Sequence, residues 1–168
     1  MLKRLFSRSA PAQLSVLMVC SGNICRSPTA QSVLMQRLKE LNTGGAIHVD
    51  SAGIEGYHVG EPPDPRTQSH AAKRGYDLSK QRARRFMEED FARFDLILAM
   101  DGGHLRYLRK DCPPEHAHKL ALLLGEAEVP DPFYGGPAGF ERVLDLIEAR
   151  CATLASELVT RLSKPADN

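Results

Sequence analysis

Residues 14–28 read L-S-V-L-M-V-C-S-G-N-I-C-R-S-P, and this stretch decides the fold. Leu14 to Cys20 is a nearly unbroken apolar run of strand length, the pattern of a strand buried on both faces. A Gly-containing turn follows at once. The chain then enters a helix, with Ser27 suited to the N-cap and Pro28 to the first helical position. Ala30, Val33, Leu34, Leu38 and Leu41 repeat at helical spacing, which predicts a helix from Ser27 to Asn42.

The same alternation continues outward. Ala46 to Ala52 reads as a second strand, and a Gly/Pro-rich loop follows from Gly53 to Pro65. A helix is predicted from Arg66 to Arg74, stopped by Gly75. Asp95 to Met100 is a third strand, Asp101 to Lys110 a short helix closed before Pro113, and Lys119 to Leu124 a fourth strand. A second Pro/Gly-rich loop spans Val129 to Pro137. Ala138 to Leu162 carries one long apolar stripe that includes Cys151, which places that thiol in the core. Strands alternating with helices predict an α/β fold with a doubly wound parallel sheet. No repeat, linker or low-complexity segment interrupts the 168 residues, which suit one domain.

Composition narrows the function. The net charge of +1 argues against whole-surface attraction to nucleic acid or membrane. Arg82, Arg84 and Arg85 form a short basic cluster, read as a solvated face. No apolar run is long enough to span a membrane, and the basic N-terminus lacks the apolar segment of a signal peptide. Four cysteines without a second close pair form neither a zinc pattern nor a disulfide scaffold. No metal or other cofactor is expected. These features point to the reducing cytoplasm, where a free thiol can act as a reagent.

In doubly wound folds ligands bind beyond the carboxyl ends of the strands. The first strand ends at Cys20, so the loop Cys20, Ser21, Gly22, Asn23, Ile24, Cys25, Arg26, Ser27 is the first place to look. A short loop between a strand and a helix turns backbone N–H groups toward one point, and the helix N-terminus adds positive potential. That is a seat for a tetrahedral dianion. Gly22 is expected to supply backbone freedom. Arg26 can grip two phosphate oxygens with its planar fork. The same field favours the thiolate form of Cys20, the nucleophilic one, and Ser27 can donate a hydrogen bond to the sulfur. The chemistry implied is attack of Cys20 on phosphorus, with charge stabilised by Arg26 and the loop amides. A poor leaving group then needs an acid, and Asp131, in V-P-D-P-F-Y after the fourth strand, lies at the same sheet edge. Cys25 shares the loop with Cys20, so a reversible Cys20–Cys25 disulfide is expected to protect the nucleophile from over-oxidation.

The string V-C-S-G-N-I-C-R-S-P and the distant Asp131-Pro132-Phe133-Tyr134 together resemble the phosphate loop and acid loop of the low-molecular-weight protein tyrosine phosphatases. The resemblance runs from about Leu14 to Leu162. It implies a four-stranded parallel, flavodoxin-like sheet with helices on both faces, over a single domain from residue 14 to 168. It implies hydrolysis of protein phosphotyrosine through a phosphocysteine. Cys20 would be the nucleophile, Arg26 the phosphate binder and Asp131 the acid and then the base. Asn23, Ser27 and Ser51 would hold the loop in shape. Tyr57, Ile24, Phe133 and Tyr134 would wall an aromatic slot. Phosphotyrosine proteins are the implied partners, a tyrosine kinase among them, and inorganic phosphate and related oxyanions are expected inhibitors. Two departures stand out. Gln81 occupies a position where many relatives carry His, and residues 1–13 extend beyond the family's usual start, either disordered or added by cloning.

Three other readings compete. Arsenate reductase would need further reactive cysteines in a mobile segment, and Cys112 and Cys151 are far apart in sequence. A protein-arginine phosphatase would carry Thr in place of Ile24. A phosphate-binding module without catalysis would lack the thiol, the Arg or the Asp, and all three are present.

Overall fold

The computed structural model describes residues 12–164, so most of the expected N-terminal extension lies outside the described residues. The elements run β1 (Leu14–Cys20), α1 (Arg26–Glu40), β2 (Ile47–Gly53), α2 (Pro65–Ala72), α3 (Asp90–Arg93), β3 (Leu96–Ala99), α4 (Gly102–Asp111), a 3-10 turn (Pro114–Lys119), β4 (Leu120–Leu122) and α5 (Pro137–Leu162). The sheet has the order β2-β1-β3-β4, and each neighbouring pair is parallel.

The apolar run at the head of the chain forms the central strand because both of its faces are covered. Val16, Met18 and Cys20 join the cluster beneath α1 and α5. Leu17 and Val19 point the other way, toward Phe91, Phe94, Leu105 and Leu108 of the α3/α4 side. Alternation of side chains along a strand makes this division obligatory. Each such side chain contributes about 1.5–3 kcal/mol by leaving water. Cys151 of α5 is fully buried in the first cluster, where burial pushes its thiol up to about 12.

Three sequence expectations are corrected. α1 begins at Arg26 with Cys25 in the cap position and no side-chain cap, so Ser27 is not the N-cap. Its hydroxyl has another partner, described below. α2 runs Pro65–Ala72, so it begins one residue before the expected Arg66, with Asp64 accepting from Arg66 N and Thr67 N and Pro65 opening the helix. Arg84 is not part of a solvated face: its guanidinium bridges Asp50 at 3.1 Å and the fully buried Asp90 at 2.9 Å. α3, with 4 residues, and the 3-10 segment, with 6, are too short to carry a periodic signal.

Candidate active site

β1 ends at Cys20 in the middle of the sheet, and the chain must turn there to enter α1. The carbonyls of Cys20 and Ser21 accept from Ile54 N at 3.0 Å and Glu55 N at 2.9 Å, which ties the turn to the segment after β2. Among the described residues, none accepts a hydrogen bond from the N–H groups of Ser21 to Cys25. Those amides ring the mouth of the α1 N-terminus and make a ready anion seat.

The loop is shaped by Asn23 rather than Gly22. Asn23 is the residue in the left-handed region, at φ 57°, and Gly22 is not. Asn tolerates that conformation better than most residues. Its side chain is spent on holding it there. Asn23 Nδ2 donates to Ser27 Oγ at 2.8 Å and to Ser51 Oγ at 2.9 Å, and Oδ1 accepts from Arg84 N at 3.0 Å. Ser51 Oγ in turn donates to Gln31 Oε1 at 2.6 Å. The Ser27 hydroxyl lies 2.9 Å from Cys20 Sγ. Gln81 is elsewhere: its Nε2 donates to Pro28 O at 2.9 Å and Ser32 Oγ at 2.7 Å, supporting the first turns of α1. Gly53, at the end of β2, passes so close that an added Cβ would sit 2.7 Å from Ser21 O and 3.0 Å from Asn23 N.

Arg26 is 3% exposed, and its charge is met from several sides. Nη1 donates to Asp101 Oδ2 at 2.8 Å and to Val129 O at 3.0 Å. Nη2 reaches Ser21 Oγ at 3.4 Å and lies 3.6 Å from Asp131 Oδ2. Asp101 caps α4 and forms a reciprocal box with His104. Burial raises the Asp101 carboxyl, but hydrogen bonds from His104 N and Arg26 outweigh it and hold the group below its ordinary value. Asp131 accepts from Phe133 N at 3.0 Å through Oδ1, an Asx turn that leaves Oδ2 facing Arg26.

The loop that carries Asp131 is fastened by Arg66, at the start of α2. Asp64 accepts from Arg66 Nε at 3.2 Å and Nη2 at 2.9 Å. Arg66 Nη1 then donates to Phe133 O at 3.1 Å, and the guanidinium lies over the rings of Phe133 at 5.3 Å and Phe140 at 4.8 Å. Asp64 N also donates to Ile24 O at 2.9 Å, so one short segment touches both loops.

A cleft of about 150 Å³ opens over the thiol, and Cys20, Ile24, Cys25, Arg26 and Asp131 all line it. Tyr57 and Tyr134 stand at its rim, 81% and 93% exposed, and Phe133 meets Tyr134 edge to face at 4.9 Å. The expected slot residues are therefore brought together. Cys25 packs with Ile24, Ala83 and Phe140, and burial pushes its thiol up to about 12. Sequence reading missed Asp101, His104, Gln31, Arg84 and Arg66, and also Glu55 and His58, which line the cleft. Asp101 could have been found, since it follows the third strand at the sheet edge where ligands gather. The others show their partners only in three dimensions.

The profile described as "Low molecular weight phosphotyrosine protein phosphatase" matches residues 15–164. A Streptomyces coelicolor protein named low molecular weight protein-tyrosine-phosphatase is 46% identical over 143 residues, covering 80% of this chain and 87% of that one. The human protein named low molecular weight phosphotyrosine protein phosphatase is 41% identical over 139 residues, covering 79% and 87%. Among solved structures, a protein tyrosine phosphatase from Entamoeba histolytica superposes with a TM-score of 0.85 at 35% identity, covering 89% of this chain and 99% of that one. With its sheet order, its strand–loop–helix anion seat and these relatives, this chain belongs to the low molecular weight phosphotyrosine protein phosphatase family.

Proposed function

We propose that this protein-tyrosine phosphatase hydrolyses phosphotyrosine in proteins through a phosphocysteine on Cys20. The observation that carries the reading is the 2.9 Å approach of Ser27 Oγ to Cys20 Sγ on a cleft that Arg26 and Asp131 also line. The thiolate attacks phosphorus as the bond to the tyrosine oxygen breaks. Arg26 and the amides of Ser21 to Cys25 take up the charge on the three equatorial oxygens. Asp131 gives its proton to the departing phenolate. A water then loses a proton to Asp131 and attacks phosphorus, the S–P bond breaks, and the Ser27 hydroxyl receives the thiolate. The loop supplies this positive potential without assistance from a metal, since its own amides and Arg26 face the site.

The aromatic rim favours a long, flat side chain. Tyr57 and Tyr134 flank the opening and Ile24 is apolar, which suits tyrosine over serine or arginine. Phosphotyrosine proteins are the partners this implies, and a nucleophilic thiol fits a reducing cytoplasm. Neither Cys112 nor Cys151 lines the cleft, which leaves a thiol relay to arsenate without a second partner near Cys20 other than Cys25.

The test is turnover of an aryl phosphate with chelator present, in wild type and Cys20→Ser. Wild type should turn over and trap a phosphoenzyme on rapid quench, and the folded variant should do neither. Undiminished turnover by Cys20→Ser would remove the mechanism.

A further inference from the structure

His104 is a buried histidine with polar partners at both ring nitrogens and no part in the steps above. It is 2% exposed and sits in the first turn of α4. Asp101 N donates to its Nδ1 at 3.2 Å, and Asp101 Oδ1, also 3.2 Å from Nδ1, already accepts from His104 N at 3.0 Å. A nitrogen that accepts carries no proton, so in the neutral ring Nε2 holds it. Nε2 lies 2.8 Å from Ser21 Oγ and therefore donates to it. The 3.4 Å approach of Arg26 Nη2 to Nε2 then joins two donors and is not a bond, while the 3.4 Å approach of the same Nη2 to Ser21 Oγ is one.

Ser21 Oγ thus has both lone pairs directed at donors, His104 on one side and Arg26 on the other. Its own O–H must point away from both. Ser21 lines the cleft, so that is the direction left open. We propose that His104 is a positioning residue for phosphate binding: it holds Ser21 Oγ as an acceptor beside Arg26 and so turns the Ser21 hydroxyl proton toward the phosphate. The inference rests on the phosphatase reading above and adds a donor to the ring of loop amides.

The surroundings keep the ring in this state. Burial disfavours the imidazolium, the Arg26 charge beside it acts in the same sense, and together they outweigh Asp101, Asp131 and Glu128, holding the group at about 4. A protonated His104 would lose its acceptor for Asp101 N and add a charge next to Arg26.

The experiment compares wild type, Ser21→Ala, His104→Leu, His104→Gln and the double variant Ser21→Ala/His104→Leu. The readouts are kcat/KM for an aryl phosphate and the inhibition constant of inorganic phosphate. Gln offers an oxygen for Asp101 N and an amide N–H for Ser21, and Leu offers neither. His104→Leu should weaken phosphate binding about tenfold, the range of one well-placed hydrogen bond to a charged group. His104→Gln should recover most of that loss, and His104→Leu should cost nothing further once Ser21 is Ala. Nitrogen chemical shifts of wild-type His104 should report the Nε2-protonated ring between pH 5 and pH 8. An equal loss in the Ser21→Ala background, or an Nδ1-protonated ring, would overturn the assignment. The nitrogen measurement needs no variant and no activity, so it stands if His104→Leu does not fold. A wild type inert toward aryl phosphates would instead sink the phosphatase reading itself.

Discussion

At the scale of single residues, Asp131 and Cys25 show how position separates chemical roles. Asp131 has one carboxylate oxygen occupied by Phe133 N and the other 3.6 Å from Arg26, at the edge of the cleft. A group so placed can pass a proton to a leaving oxygen without leaving its turn. Asp131→Asn should therefore slow alkyl and tyrosyl phosphates by ~10²–10⁴-fold while hardly affecting esters of acidic phenols. A plot of rate against leaving-group pKa measures this, and parallel lines for the two proteins would assign Asp131 a purely structural role. Cys25 lines the same cleft, but burial holds it as a thiol. We propose that it serves only after Cys20 has been oxidised to the sulfenic acid, when condensation releases water and forms the disulfide. Peroxide followed by a thiol reductant should restore wild type and not Cys25→Ser, with a Cys20–Cys25 peptide found by mass only in wild type.

At the scale of elements, the phosphate loop is held by its neighbours rather than by itself. β2 passes directly beneath it, and Gly53 is the point of contact. The constraint there is space and not backbone freedom, since the atoms an added methyl would strike are the backbone of Ser21, Gly22 and Asn23. Gly53→Ala should cost about 1–3 kcal/mol by overpacking and should depress kcat more than fold content. Denaturant unfolding and turnover, measured side by side, separate the two. A second support comes from the segment before α3. Arg84 donates its backbone N–H to Asn23 and its guanidinium to Asp50 and Asp90. Because Asp90 is fully buried, removing Arg84 leaves its carboxylate with only Met87 N at 2.9 Å and the Arg93 guanidinium at 4.0 Å. Arg84→Met should therefore lose about 3–5 kcal/mol, far beyond an exposed arginine, and a loss under 1 kcal/mol would show that Met87 N and Arg93 suffice for Asp90.

At the scale of the whole molecule, all the pieces meet at one edge of the sheet. Cys20 ends β1, Gly53 ends β2, Asp101 follows β3 and Asp131 follows β4. Parallel strands send every carboxyl end to the same side, so four loops far apart in sequence converge there. This convergence also sets a pH dependence. His104 binds a proton at about 4 when folded against an ordinary 6.5, and Asp101 is likewise held below its ordinary value. The unfolded chain then binds more protons than the folded one, so stability falls as pH drops. The His104 contribution is complete above 6.5 and is lost between 6.5 and about 4. His104→Gln should flatten the fall in melting temperature across that window, and an unchanged slope would place the titration elsewhere.

Much of this was legible in the sequence, for a physical reason. The run from Leu14 to Cys20 is apolar at every position but Ser15, and only a central strand buries both faces. The helical stripe of α5 likewise announces its own buried face, Cys151 included. The loop from Cys20 to Ser27 is contiguous, so its anion-binding character follows from local geometry. What only the tertiary structure decided are the pairings between distant residues. The sequence reading expected the loop's backbone freedom at Gly22 and the helix cap at Ser27, because local propensity favours both. In the fold, Asn23 takes the left-handed conformation, since Ser27 and Ser51 occupy both of its side-chain N–H donors and Arg84 N reaches its Oδ1. Ser27 leaves the cap for Cys20 Sγ. Arg84 looked solvated because Asp50 and Asp90 lie outside its own stretch of chain. Periodicity records which face of an element is dry, but a hydrogen bond across 34 or 83 residues leaves no local trace.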